Sequence, residues 1–429
     1  MPLDIKKIGF IAGIIAFLLA ILAIPADNAI KNAIAVLLLC TIWWTTEATP
    51  IYATALLPAI LFPLMQVLPL QDALSQYAHR VIFLFFAGFL IARAMIKWGL
   101  DRRIALFILA KGKDSQKLIL YFMLATAFLS AFISNTATTA MMLPIGMAVL
   151  LHIKIKDKES YGKVLMLGIA YSATIGGVAT LIGTPPNAIF AGFAESLLGE
   201  KISFFDWLKI GLPFFAIMMP IVWFFLIGFY KPEKVRFKAE RFIEEEAKKL
   251  GKLKKEEMLV LFVFIFVAIL WLTRPFWHLI GFSNLQNLLD DSIIALIGAV
   301  LLFIIPIDFK KWQSALALED IQEIPFGILI LFGGGLCLGK GLFESGAAQW
   351  LAEKVPTGNF LLLLLLVIII PATLSCSLAF MFPISTPPNA IVFSSGYIKM
   401  HDMIKAGVIL HVIGLVIIFM LGQFLFKLI

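Results

Sequence analysis

Charge is what this chain has least of: Asp, Glu, Lys and Arg make up 14% of its 429 residues, while 61% are hydrophobic and the mean hydropathy is +0.98. A soluble domain is usually about a quarter charged, so an ordinary soluble fold is excluded. Cysteine is also scarce. Cys40, Cys337 and Cys376 are odd in number, far apart and set in apolar stretches, which leaves packing and excludes a disulfide framework or a metal site by spacing. His79, His152, His278, His401 and His411 are scattered, with neither paired ligands nor a nucleophile partner. An enzyme is therefore not expected, and no cofactor is called for. Gly333-Gly334-Gly335 lacks the Lys-Ser or Lys-Thr of a phosphate loop and fits close helix packing. The net charge of +8 does not point to nucleic acid, because the basic residues lie in short loops between apolar runs, as the positive-inside pattern requires.

What the chain does have is apolar runs of about twenty residues, the length of a membrane-crossing helix. Crossings are expected near 8–24, 33–46, 49–67, 80–98, 164–190, 209–230, 258–276, 291–306, 325–343, 359–394 and 403–427, about eleven in all. Lys6 and Lys7 precede an apolar stretch with no small-residue cleavage site ahead of a soluble domain, so an uncleaved first helix is expected. Segment 118–153 is too long for one crossing, has basic flanks on both sides and carries Ser134-Asn135-Thr136 near its middle. It reads as a re-entrant hairpin with that triplet at its tip. With the N-terminus in the cytoplasm, six crossings and the hairpin place loop 231–257 there too, consistent with its ten Lys or Arg between 231 and 255. The C-terminus then lies outside. Glu244, Glu245 and Glu246 among those lysines suggest a solvated interfacial helix.

Thr-Pro-Pro-Asn-Ala-Ile occurs twice, at 184–189 and 386–391. Proline removes a backbone donor and clashes with the preceding turn, so each copy should break a spanning helix. Broken backbone at membrane depth is tolerated only when buried in protein or lining a watery cavity. Two breaks at corresponding positions of two halves point to the binding site of a secondary transporter. LFFAGFLIARAMIKWG (84–99) aligns with LFGGGLCLGKGLFESG (331–346), and FDWLKIG (205–211) with HDMIKAG (401–407), pairing Asp206 with Asp402. Five crossings separate equivalent segments, an odd number, so the repeat should be inverted. The expected organisation is an N-terminal helix and loop (1–32), a first repeat (33–230), an amphipathic linker (231–257) and a second repeat (258–429). The second repeat lacks about 45 residues between 346 and 387, the stretch that would carry a second hairpin, and no second Ser-Asn-Thr follows; Ser375 and Ser377 are poor substitutes by position.

A bound anion needs donors, and few buried cations lie near these motifs. Asn amides, Ser and Thr hydroxyls and the backbone amides of helix starts are available instead, while unwound carbonyls and hydroxyls offer oxygens to a hard monovalent cation. Thr184 and Asn389 are candidates for the anion and Asn187 for the cation. Ser130 and Ser134 share a helix face towards the hairpin tip. Trp43 and Trp44 fit an interfacial belt and Glu47 a helix cap. Arg93 and Lys340, with Lys97 and Glu344 four residues on, lie near segment ends and are expected to snorkel.

ISNTATTAMMLPIG (133–146), LIGTPPNAI (181–189), IWWTTEATPIYATALLP (42–58), DDSIIALIGAVLLFIIP (290–306) and STPPNAIVFSSGYIKMHDMIKAG (385–407) together resemble the divalent anion/sodium symporter family over nearly the whole chain. The resemblance implies a homodimeric, elevator-type membrane transporter of dicarboxylate, citrate or sulfate, usually coupled to sodium. It assigns Ser130, Ser134, Asn135 and the Gly183 backbone to a first sodium site, and the Ser385 carbonyl to a second. Asn135, Thr136, Thr386 and Pro387 would meet the substrate carboxylate. A plasma-membrane transporter of a small dianionic carboxylate (succinate, malate or fumarate class) with sodium as its only ion is the expectation. Two alternatives stay open: a non-transporting or sensory scaffold, because one hairpin is absent, and a sodium-independent anion exchanger or sulfate transporter.

Overall fold

The computed structural model describes residues 4–112, 114–235, 239–308, 310–353 and 377–425. Their regular secondary structure is helical apart from one small antiparallel hairpin, β1 (Pro306–Asp308) and β2 (Gln313–Ser314). Eight helical stretches among them are long and apolar enough to cross a membrane: Ile5–Ala23, Asn28–Thr46, Leu70–Lys97, Lys158–Ala179, Phe204–Tyr230, Lys255–Ile280, Phe326–Glu344 and Met400–Leu421. Two further expected crossings are shorter. Residues 49–67 form α3 (Ile51–Thr54) and α4 (Leu57–Leu64), and residues 291–306 form the 14-residue α16 (Asp291–Ile304). The expected crossing at 359–394 lies mostly outside the described residues, as do Ser375 and Cys376.

The described residues divide between two compact units, each drawing on both halves of the chain. The first comprises those of Met1–Phe86, Ala188–Ile202 and Ile324–Leu366. Here α1 (Ile5–Ala23) and α2 (Asn28–Thr46) pack closely because Gly9 and Gly13 leave room for Thr46 and Trp43. Its core joins Ala33, Val36 and Cys40 of α2 to Phe62 of α4 and to Cys337 and Leu338 of α18 (Phe326–Glu344). Gly333 and Gly334 admit Tyr77 and the Ala55 backbone, the close packing expected of that run. Glu47 takes a left-handed conformation (φ 47°) at the C-terminal end of α2, and Trp43 stacks on Phe10. α5 (Leu70–Ser75) precedes α6 (Arg80–Lys97), and Asp72 of α5 lies 4.0 Å from Lys340 of α18.

The second unit comprises the described residues of Ala87–Asn187, Ser203–Glu323 and Val367–Ile429. It is built around α10 (Lys158–Ala179), whose residues from Val164 to Ala179 are all buried. Small residues make this possible: Gly176 lets the Ala127 backbone of α8 come close, Gly168 admits the Met123 side chain and Gly177 that of Asn135, as membrane packing favours. Around it stand α8 (Ser115–Ser130), α9 (Asn135–His152), α12 (Phe204–Tyr230) and the short α20 (Pro387–Phe393). Arg93 and Lys97 do not snorkel. Both reach the buried Asp320 of α17 (Leu318–Gln322), at 3.3 and 2.5 Å, and Arg93 also reaches Glu323 at 2.8 Å. Burial opposes ionisation of Asp320, but the Lys97 ammonium, the Ala317 N–H and Arg93 outweigh it and hold the carboxyl below the usual carboxylate range. α7 (Leu100–Leu109) presents Arg102 to Glu246 of α13 (Ala239–Lys249) and Arg103 to Glu257 at the start of α14 (Lys255–Thr273), which anchors the linker.

Candidate functional site

The segment carrying Ser-Asn-Thr is a helix-turn-helix. α8 ends at Ser130, Ala131 to Ser134 turn, and α9 starts at Asn135. Ser134 occupies the N-cap without making a side-chain cap bond, so the first-turn amides of α9 stay open at the positive end of the helix dipole. Ser134 and Thr136 are exposed and Asn135 is half-buried.

Behind this tip, the Ser130 hydroxyl lies 2.5 Å from Asn135 Oδ1 and 2.7 Å from the Ala173 carbonyl of α10. Three oxygens thus converge while only one of them carries a proton. Such a cluster is chemically suited to a small hard cation. α10 then stops at Ala179. Thr180 donates its hydroxyl to the Ala131 carbonyl, stitching the unwound segment to the hairpin turn. Gly177 lies directly under Asn135: a Cβ there would stand 2.5 Å from Asn135 Oδ1. The Gly177 carbonyl in turn touches Gly183, where a Cβ would be 2.4 Å from it.

The prolines sit differently from the simplest expectation. Pro185 and Pro186 open α11 (Pro185–Leu198), and Pro387 and Pro388 open α20, so each pair starts a helix instead of lying inside one. Proline fits the first turn because its missing N–H would be unpaired there anyway. This alters the expected anion chemistry. Two donors are absent at each helix start, the Asn389 N–H goes to Thr386 Oγ1 and the Asn187 N–H to the Thr184 carbonyl. The anion-binding capacity of these starts falls to side chains, and Thr386 keeps its hydroxyl hydrogen free to donate.

Asn187 and Asn389 are both fully buried. Nδ2 of Asn187 donates to the carbonyls of Gly177 (3.1 Å) and Thr180 (2.7 Å); Nδ2 of Asn389 donates to those of Ala379 (2.8 Å) and Phe382 (3.0 Å). In each case the acceptors lie ten and seven residues upstream. Both Oδ1 atoms, with the hydroxyls of Thr138, Thr139 and Ser377, are buried without a hydrogen-bond partner among the described residues. α20 packs along α9 and α10, so the structure brings Thr386 and Pro387 to the helices that carry Asn135, Thr136 and the first break. Ser385 and Pro387 are exposed, Thr386 half-buried and Thr184 buried. Ala131, Ala173, Gly177 and Thr180 were not singled out from sequence. Three of them act through main-chain oxygens alone, which any residue possesses.

No group of three or more His, Cys, Asp or Glu able to hold a metal ion occurs among the described residues. A polytopic helical protein with a helix broken at an oxygen-rich turn, beside a second helix opened by the same Thr-Pro-Pro-Asn motif, belongs to the class of membrane transporters. Comparison with known proteins agrees. Residues 41–380 match the family profile described as "Citrate transporter", and residues 357–429 that of "Sodium:sulfate symporter transmembrane region". The chain is 36% identical to the sodium-dependent dicarboxylate transporter SdcS of Staphylococcus saprophyticus over 475 aligned positions, covering 98% of this chain and 91% of that one. It is 35% identical to SdcS of Staphylococcus aureus strain MRSA252, with the same coverage, and 36% identical to that of strain NCTC 8325 over 468 positions. The chain belongs to the divalent anion/sodium symporter family and is a transport protein, not an enzyme. Since 98% of 429 residues is about 420, roughly 55 of the 475 aligned positions are occupied by the relative alone.

Proposed function

We propose that this protein carries a small dianionic carboxylate of the succinate, malate or fumarate class across the cytoplasmic membrane together with sodium. The oxygen cluster of Ser130, Asn135 and Ala173, tied to the first helix break, is the observation that carries this reading. The names of the relatives support both the ion and the substrate class. In this reading Ser130, Ser134, Asn135 and the Gly183 carbonyl hold the sodium ion. The Asn135 amide, Thr136, Thr386 and the α20 start at Pro387 face the carboxylate, with Thr184 alongside and the Ser385 carbonyl on a second cation.

The two halves are read as an inverted repeat working by an elevator movement in a homodimer, with the N-terminus inside and the C-terminus outside. Several local matches support the repeat. Gly99 and Gly346 end equivalent helices at φ 71° and 77°, and Asp206 and Asp402 each accept the N–H three residues back. A non-transporting scaffold is the second reading, favoured by the roughly 55 aligned positions that the relative alone occupies, a total comparable to the 45 or so residues that the second repeat lacks between 346 and 387. Melting temperature of the purified protein, titrated with succinate, citrate or sulfate in sodium or potassium buffer, separates these. Stabilisation by succinate only when sodium is present is expected; stabilisation by sulfate without sodium would refute the coupling.

A further inference from the structure

We infer that Asn187 and Asn389 are matched positioning residues for cation coupling, with their amide hydrogens committed to the backbone and not to the carboxylate. The inference rests on the sodium-coupled reading above and assigns its two repeated asparagines one shared role.

An amide nitrogen has two hydrogens, and both are used in each copy, on carbonyls ten and seven residues upstream. No donor is left for a carboxylate. The amide orientation is fixed by its surroundings, because a reversed group would set an oxygen against two carbonyl oxygens. Each asparagine therefore ties two carbonyls of the chain just upstream to the first turn of the helix it stands in, and sets the width and pitch of the stretch between them.

In the first break the chain of contact to the oxygen cluster is short. Asn187 holds the Gly177 carbonyl; Gly177 supports the Asn135 amide on one side and meets Gly183 on the other. Moving that carbonyl moves two of the residues assigned to the ion. In the second break the neighbouring supports repeat as well. Gly211 of α12 abuts the Val178 and Ala179 carbonyls, and Gly407 of α21 (Met400–Leu425) abuts the Phe380 carbonyl and Met381, the positions equivalent in spacing from Asn187 and Asn389. A ring N–H from the same long helix also reaches each stretch, though at different spacings: Trp207 to Val178, nine residues before Asn187, and His411 to Leu378, eleven before Asn389, at 2.9 Å in both. The asparagine and glycine contacts thus recur at the same spacings in two sequences that otherwise differ at most of these positions.

Asn187→Asp and Asn389→Asp test the role, because aspartate keeps the shape and Oδ1 but turns the bridging donor into an acceptor. A cation ligand would survive this change or bind sodium more tightly. A positioning residue should instead raise the sodium half-saturation by about tenfold, the equivalent of losing two neutral hydrogen bonds, and by similar factors at both positions. The succinate KM at saturating sodium should stay within about twofold and the sodium Hill coefficient should not change. Should the aspartates fail to fold, Asn187→Ser and Asn389→Ser keep one donor and should give a few-fold rise with the Hill coefficient again unchanged. A retained or lowered half-saturation in the Asp variants, a fallen Hill coefficient, or a raised KM at saturating sodium overturns the inference. Sodium-dependent thermal stabilisation gives the half-saturation without transport. Lack of uptake by the unsubstituted protein therefore counts against the transport reading alone, whereas lack of any sodium-dependent shift in it overturns the positioning role too.

Discussion

Gly177→Ala is the smallest change that should disable the site. The added methyl would stand 2.5 Å from Oδ1, 2.8 Å from Nδ2 and 3.1 Å from Cγ of Asn135, where relaxed contacts lie near 3.5–4.0 Å. α10 cannot retreat: it is buried along this whole stretch, and at Gly176 a Cβ would already meet the Ala127 carbonyl at 2.2 Å. The strain therefore falls on the Asn135 amide, which must move by about 1 Å. Overpacking of this kind costs roughly 1–3 kcal/mol, which corresponds to about a ten- to hundredfold loss of affinity if it acts on the bound ion. Sodium titration of melting temperature and of succinate uptake in proteoliposomes should both register it. Gly228→Ala serves as the control, since nothing lies within 4 Å of its Cβ position, and should behave as the unsubstituted protein. Gly177→Ala with an unchanged sodium half-saturation would refute the packing argument.

Thr180→Val keeps the volume but leaves the buried Ala131 carbonyl without its donor, and should cost about 1–3 kcal/mol, seen as a lower melting temperature and weaker sodium response. Asp320→Asn removes the partner of Arg93 and Lys97 and should lower stability at pH 7 by about 3 kcal/mol in denaturation. The folded-state pKa of Asp320 is depressed, so this stability is present above the ordinary carboxylate value of about 4 and is lost as pH falls through the lower folded value; the two proteins should converge there. Asp101, on α7, runs the opposite way: burial, only partly offset by the Arg102 N–H, raises its pKa to about 6. Folding then takes up a proton between about pH 4 and pH 6, so stability falls as pH rises across that window, and Asp101→Asn should flatten this slope and raise the melting temperature at pH 7.

The helical membrane architecture was legible because apolar run length is a direct signal, and the turn at Ser134-Asn135-Thr136 because a long run with a polar centre and basic flanks cannot be one crossing. The breaks were legible through their prolines, although the prolines start helices instead of stopping them. Three features could not be read. Arg93 and Lys97 looked like snorkelling residues because their partner, Asp320, is more than two hundred positions away in sequence. The Ala173 and Gly177 carbonyls carry no residue-type signal, though paired glycines hinted at close approach. The use of both Asn187 hydrogens depends on the path of the unwound backbone, which composition and periodicity do not encode.

Uptake of radiolabelled succinate into proteoliposomes, with and without an inward sodium gradient, tests the central claim most directly when paired with Asn135→Ala. Sodium-dependent uptake that Asn135→Ala abolishes is the predicted result, and would mean that one Ser-Asn-Thr turn with two braced helix breaks suffices for coupled transport. No uptake by folded, membrane-inserted protein, or uptake indifferent to sodium and to Asn135, would contradict it.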